Sequence, residues 1–227
     1  MDLVYIPEGE FLMGSAESDV DAASDEKPQH PVYLDAFWID QTEVTNAMYM
    51  RCVDADICSL PIIPGDEITQ KPQQPIQGLA WTQAAEYCQW VGRRLPTEAE
   101  WEKAARGTDA RLYPWGNTPP TEDLANFDFL SDGFTDVGIF PAGTSPYGVM
   151  DMAGNVWEWT ADWYDENYYA NSPYENPTGP ESGIIRSIRG GAWNTVPRAI
   201  RVTNRHWAYP YRDDIVGFRC AANESLK

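Results

Sequence analysis

Apolar positions change their period near residue 107. Before it, Leu3-Val-Tyr-Ile6 and Phe11-Leu-Met13 flank the turn Pro7-Glu-Gly9 and predict two short strands. Residues 15–31 are acidic and rich in small residues, ending in Pro28 and Pro31, and predict an exposed loop. The run from Val32 to Ile39 predicts one further strand. Thr42-Glu-Val-Thr45 supplies start residues for a helix over 45–55. Cys58 to Pro75 carries four prolines and no period, hence loop. Thr82 is placed to cap a helix over 83–91, and Thr97 with Glu100 forms a capping-box pattern for a helix ending at Ala105. Beyond Gly107, short aromatic stretches alternate with Gly, Pro, Asn and Asp turns almost to the end. The expectation is an α+β fold in one domain over 1–227, with few helices, much irregular loop, no repeat and no internal linker.

Composition adds a core and a charge. Of 227 residues 43% are hydrophobic, including 10 Trp and 12 Tyr, which supplies a sizeable interior. No stretch approaches the ~20 apolar residues of a membrane span. The start of the chain lacks a basic region followed by an apolar run, so no signal peptide is expected and the cytoplasm is favoured. Ordered-looking sequence begins within three residues of Met1, which suits a domain excised from a longer protein. The net charge of −19 is uneven: residues 182–223 hold seven arginines against Asp213 and Asp214. A nucleic-acid partner is disfavoured, because the rest of the body is strongly anionic. The arginines are expected to pair with the domain's own acids, since guanidinium forks suit partly buried pairs.

Five motifs occur in order: Gly92-Arg-Arg-Leu-Pro-Thr-Glu-Ala-Glu-Trp-Glu102, Tyr113-Pro-Trp-Gly-Asn117, Asp151 to Trp159, Arg189-Gly-Gly-Ala-Trp193 and Gly217-Phe-Arg219. Together they resemble the formylglycine-generating enzyme / sulfatase-modifying-factor family, over about residues 3–223. The resemblance implies a loop-rich fold of the C-type-lectin kind with a surface site near the C-terminal segment. Enzymes of that family oxidise a substrate cysteine with molecular oxygen, using copper held by two cysteines. Alignment on Gly190-Gly191 puts Thr195 and Ile200 at those positions, and neither supplies the soft thiolate that Cu(I) requires. No copper and no formylglycine-generating activity are therefore expected. An iron-dependent branch needs a histidine cluster, whereas this chain has only His30 and His206.

The resemblance also implies structural calcium. One site would use Asp151, the Gly154 and Val156 carbonyls and Glu158; a second would use Asn126, Asp132 and the carbonyls of Phe127 and Phe134. Such mixed hard-oxygen sets suit Ca²⁺. The alternative is that Asp151 and Glu158 pair with arginines. Asn155, Trp157 and Trp159 are expected in the core. Family members with cysteines at the positions of Cys88 and Cys220 often bridge them, while two buried free thiols remain the alternative. Cys52 and Cys58 are spaced to staple a helix end to its loop. A four-cysteine metal site is not expected, because no two cysteines have a two-residue spacing.

Between Ser182 and Asn223 there is no Lys, Glu, Gln or Met. Apart from Trp, these are the residues that no codon ending in a pyrimidine encodes. The segment is thus similar to the variable region of retroelement-diversified proteins, which lies between a fixed Gly-Gly-x-Trp and a fixed Gly-Phe-Arg. The candidate ligand-binding residues are Trp193, Asn194, Thr195, Val196, Arg198, Arg205, His206, Trp207, Tyr209, Tyr211, Arg212 and Asp213. Large amphipathic rings beside arginines have the composition of a binding face. The expected function is non-catalytic recognition of a protein or other macromolecular ligand. The rivals are a fixed sensor or scaffold domain of a signalling protein such as a kinase, and a divergent oxidase.

Overall fold

The computed structural model describes residues 2–62, 70–211 and 213–224, and its strands form three small sheets. The first two strands, β1 (Leu3–Ile6) and β2 (Gly9–Met13), flank the expected turn but do not pair with each other. Strand β2 pairs antiparallel with β3 (His30–Leu34), and β1 with β4 (Phe37–Asp40). The single strand expected over 32–39 is therefore split between two sheets. The reason is parity: Val32 and Leu34 are buried on even positions, Phe37 and Ile39 on odd ones. One pleated strand cannot turn both sets inward.

Among the described residues follow the helices α1 (Asn46–Asp54), α2 (Trp81–Trp90) and α3 (Glu98–Arg106). Thr45 caps α1, its hydroxyl accepting from Met48 N at 3.3 Å. Helix α2 starts ahead of Thr82, because the Gln83 side chain accepts from Ala80 N at 2.9 Å and makes Ala80 the cap. The expected box at α3 is present, with Glu100 N on Thr97 Oγ1 at 3.1 Å and Thr97 N on Glu100 Oε2 at 2.8 Å. Every residue of α3 is buried, charged ones included. Buried charge survives only when partnered: Glu98 and Glu102 meet arginines from the far end of the chain, Glu100 meets Arg94, Arg106 pairs with Glu102, and Lys103 donates to the Pro7 and Gly9 carbonyls.

Strand β5 (Trp157–Trp163) sits inside a four-stranded sheet in the order β7-β6-β5-β8, with β6 (Arg186–Arg189), β7 (His206–Ala208) and β8 (Val216–Gly217). Trp157 and Trp159 are buried in the main core, as expected. From β6, Arg189 reaches Glu98 at 3.1 Å and Glu102 at 2.6 Å, while Arg205 meets Glu98 at 2.8 Å. Arg201 holds Glu26 at 2.7 Å and Asp19 at 2.7 Å. The acidic stretch 15–31 is thus clamped over these arginines rather than free, and Glu26 is fully buried. The last strand, β9 (Ala221–Ala222), closes on β4. Both cysteine pairs are bridged, Cys52 to Cys58 and Cys88 to Cys220.

Candidate functional site

Edge strand β7 and the residues after it carry a row of rings. Successive centroids are 5.1 Å apart from Trp157 to His206, 6.0 Å to Trp207, 5.9 Å to Tyr209 and 6.1 Å to Tyr211. Trp207, Tyr209 and Tyr211 are 40%, 54% and 71% exposed. Partial desolvation lowers the pKa of His206, which favours its neutral form. The row borders a groove of about 750 Å³ lined by Asn194, Thr195, Val196, Arg198, Arg205, His206 and Trp207 from the C-terminal segment. The structure brings these seven sequence candidates together around one concavity. The Arg205 guanidinium is buried and committed to Glu98, so it supports the groove from beneath. Trp193 sits outside the lining, against Phe129 and Phe134. Arg212 lies outside the described residues. Asp213 turns back instead, its side chain accepting from Ile215 N at 3.2 Å.

Sequence reading did not anticipate Asp25, Tyr164 and Glu166, which complete the groove. Tyr164 donates to Asp25 Oδ2 at 2.6 Å, and the Asp25 carbonyl accepts from Arg205 at 2.9 Å. Their only signal was an excess of acids facing an excess of arginines, which names no partners. Two polar atoms beside the groove, Trp193 Nε1 and Asn194 Oδ1, are buried without a hydrogen-bond partner among the described residues. A larger cleft of about 960 Å³ lies away from this segment. Its Arg94 is spent on Glu100, at 2.6 Å, and on Asn223. The smaller groove, with its unspent rings, is the better candidate.

Thr195 and Ile200 converge under the same groove. A Cβ built on Gly191 would lie 2.7 Å from Ile200 Cγ2 and 3.0 Å from Thr195 Oγ1. Gly191 also has φ +76°, so a side chain there meets both strain and collision. Thr195 Oγ1 is occupied by Ala192, accepting from its N–H at 3.0 Å and donating to its carbonyl at 2.8 Å. Ile200 is fully buried. A hydroxyl tied to backbone and a hydrocarbon do not fit copper.

Hard cations are a separate matter. No three His, Cys, Asp or Glu side chains among the described residues are grouped to hold a metal, so any cation here needs backbone carbonyls as well. Glu158 has both oxygens engaged: Arg219 donates at 2.7 and 2.8 Å, and Trp101 Nε1 at 3.0 Å. Asp151 instead accepts from Gly138 N at 2.6 Å. Beside them Glu43 is fully buried, with Oε1 accepting from Asn155 and Oε2 without a hydrogen-bond partner among the described residues. Burial raises the pKa of Asp151 and holds that of Glu43 well above the usual carboxylate range, with Asp151 adding to the effect on Glu43. At the other expected site, Asn126 Oδ1 is buried and has no hydrogen-bond partner among the described residues, Asp132 is exposed, and the Phe127 and Phe134 carbonyls accept from Leu130 N and Gln74. These spare oxygens are of the kind that Ca²⁺ accepts.

The profile of the sulfatase-modifying factor enzyme 1-like domain matches residues 1–224. The serine/threonine-protein kinase pkn1 of Chlamydia caviae is 36% identical over 97% of this chain, which spans only 38% of that kinase's length. The formylglycine-generating enzyme of Streptomyces coelicolor is 33% identical, with 98% of this chain and 90% of the enzyme covered. PvdO from Pseudomonas aeruginosa superposes with a TM-score of 0.84 at 28% identity, covering 97% of this chain and 93% of that one. Treponema denticola variable protein 1 superposes with a TM-score of 0.78 over 98% and 95% of the two chains; at 22% identity it shows a shared fold. No helix among the described residues is long and apolar enough to cross a membrane.

Proposed function

The chain belongs to the sulfatase-modifying factor enzyme 1-like family, and from that premise we propose that it is a non-catalytic recognition domain whose groove and aromatic row bind a protein or other macromolecular ligand. One observation carries the reading. Asn194, Thr195, Val196, Arg198, His206, Tyr209, Tyr211 and Asp213 all reach solvent, while the flanking Gly190, Gly191, Ile200, Arg201, Gly217, Phe218 and Arg219 are buried. The residues proposed for display thus sit outward on a buried frame, which is how adaptable binding surfaces are built. The residues at the copper positions argue in the same direction, since Thr195 and Ile200 replace the thiolates the oxidation needs.

The similarity to pkn1 favours a second, compatible reading: a sensor or scaffold module within a longer signalling protein. Retroelement diversification of 194–216 rests on the residue types missing from 182–223. A near-copy of those codons next to a reverse-transcriptase gene is its expected genomic trace, and a locus without one would remove it. Calcium, where bound, would be structural and held by Asn126 Oδ1 and Asp132 with the Phe127 and Phe134 carbonyls, or by Asp151 with the Gly154 and Val156 carbonyls and Glu158 once it releases Arg219. The two disulfides favour an oxidising surrounding.

Two assays test the main reading. With copper and a cysteine peptide, the wild type should consume no oxygen and yield no aldehyde; turnover would restore the oxidase. Trp207→Ser with Tyr209→Ser and Tyr211→Ser should lose whatever protein the wild type captures from its host, by about tenfold or more, as buried aromatic anchors dominate binding. Equal capture by both would remove the aromatic row from the binding face.

A further inference from the structure

The turn at residues 127–130 presents Phe129 and Leu130 to solvent, 65% and 49% exposed. Two consecutive non-glycine residues there, Asp128 and Phe129, are left-handed, with φ of 49° and 59°. A phenylalanine in that region is strained, and an outward ring returns little burial to the fold. The surroundings hold it nonetheless. Asp128 N donates to Thr195 O and Phe129 N to Trp193 O, both at 2.9 Å. The Phe129 ring packs edge-on against Trp193 at 5.3 Å. Thr195 lines the groove and Val196, next along it, is exposed, so the turn forms a lip continuous with that surface.

Charge says what the lip can meet. Between Arg111 and Arg186 the chain has twelve acids and no Lys, Arg or His. Five of those acids, Glu122, Asp123, Asp128, Asp132 and Asp136, belong to the segment around the lip, and all five are exposed. Apolar anchors bordered by carboxylates complement a pocket rimmed by Lys or Arg. The C-terminal arginines of a second copy do not offer one, since those among the described residues are engaged within their own chain; anionic polymers and anionic lipid surfaces are repelled.

We infer that Phe129 and Leu130 are anchors for a cationic protein partner, forming a subsite of the recognition surface. The inference rests on the recognition reading and narrows its partner to a basic one with an apolar pocket or face. The test titrates two synthetic amphipathic peptides, one of leucine and lysine and one of leucine and glutamate, by fluorescence anisotropy. Proteins compared are the wild type, the Phe129→Ser/Leu130→Ser variant and the Trp207→Ser/Tyr209→Ser/Tyr211→Ser variant. Unchanged thermal unfolding of the first variant establishes that it remains folded. The lysine peptide should bind the wild type and lose about tenfold or more affinity with the lip variant, while the glutamate peptide should not bind. Asp128→Asn with Asp132→Asn should weaken the lysine peptide and flatten its salt dependence. Equal affinity of wild type and lip variant, or no lysine-peptide binding at low salt, overturns the lip as an anchor. Loss confined to the aromatic-row variant also overturns it, yet leaves the recognition function standing.

Discussion

Replacing Arg219 with methionine is expected to lower the unfolding free energy by about 3–5 kcal/mol, the usual consequence of stranding one member of a buried ion pair. Arg219 is fully buried and binds both oxygens of Glu158. It also donates to the carbonyls of Asp40, Gln41, Met150 and Asp151. Its removal would leave Glu158, Asp151 and Glu43 together without that cation, and several carbonyls without a donor. Methionine approximates the volume, so the loss reports electrostatics and hydrogen bonding rather than a cavity. Urea denaturation at neutral pH measures it. A change below about 1 kcal/mol, the range of exposed pairs, would mean that the carboxylates are discharged by protons or a cation instead. Excess calcium that specifically restores the variant would identify the cation as the substitute for the guanidinium.

Removing the Cys88–Cys220 bridge by the double substitution to alanine should cost about 2–5 kcal/mol, since the bridge closes a long loop in the unfolded chain. The cysteines are separated by 132 positions, against six for Cys52 and Cys58. By chain-entropy reasoning the short loop is worth about 2 kcal/mol and the long one about 5 kcal/mol. The long bridge also ties α2 to the segment that carries Arg219, so the two losses should not add. Thermal unfolding of the two double variants, each without reductant, gives the comparison. A larger destabilisation from the short pair would place the effect in native-state packing around α1 rather than in the unfolded chain.

Local chemistry was legible from sequence. The Thr97–Glu100 box, the helix start within Thr42–Thr45, the Trp157 and Trp159 core positions and the pairing of C-terminal arginines with the body's acids all follow from residue type and spacing, and each is present. What was misread depended on distant partners. Residues 32–39 look like one strand because an apolar run does not display which sheet each end joins. Thr82 looked like a cap because the role of Gln83 depends on where Ala80 is held. The stretch 15–31 is largely the exposed loop expected, but its restraint, Arg201 on Glu26 and Asp19, was not legible because it comes from about 180 positions away.

Sequence by itself determined the family and the residue types at 195 and 200, and it pointed to the segment proposed for display, because those are matters of residue identity at fixed spacing. Tertiary structure alone decided which of those residues face outward. Arg205 is the clearest case: an arginine among exposed rings that burial and Glu98 claim for the frame. Phe129 is its converse, an aromatic residue that hydrogen bonds from its turn to Trp193 and Thr195 hold out in solvent. In both, the orientation is set by long-range partners, and spacing along a chain carries no record of them.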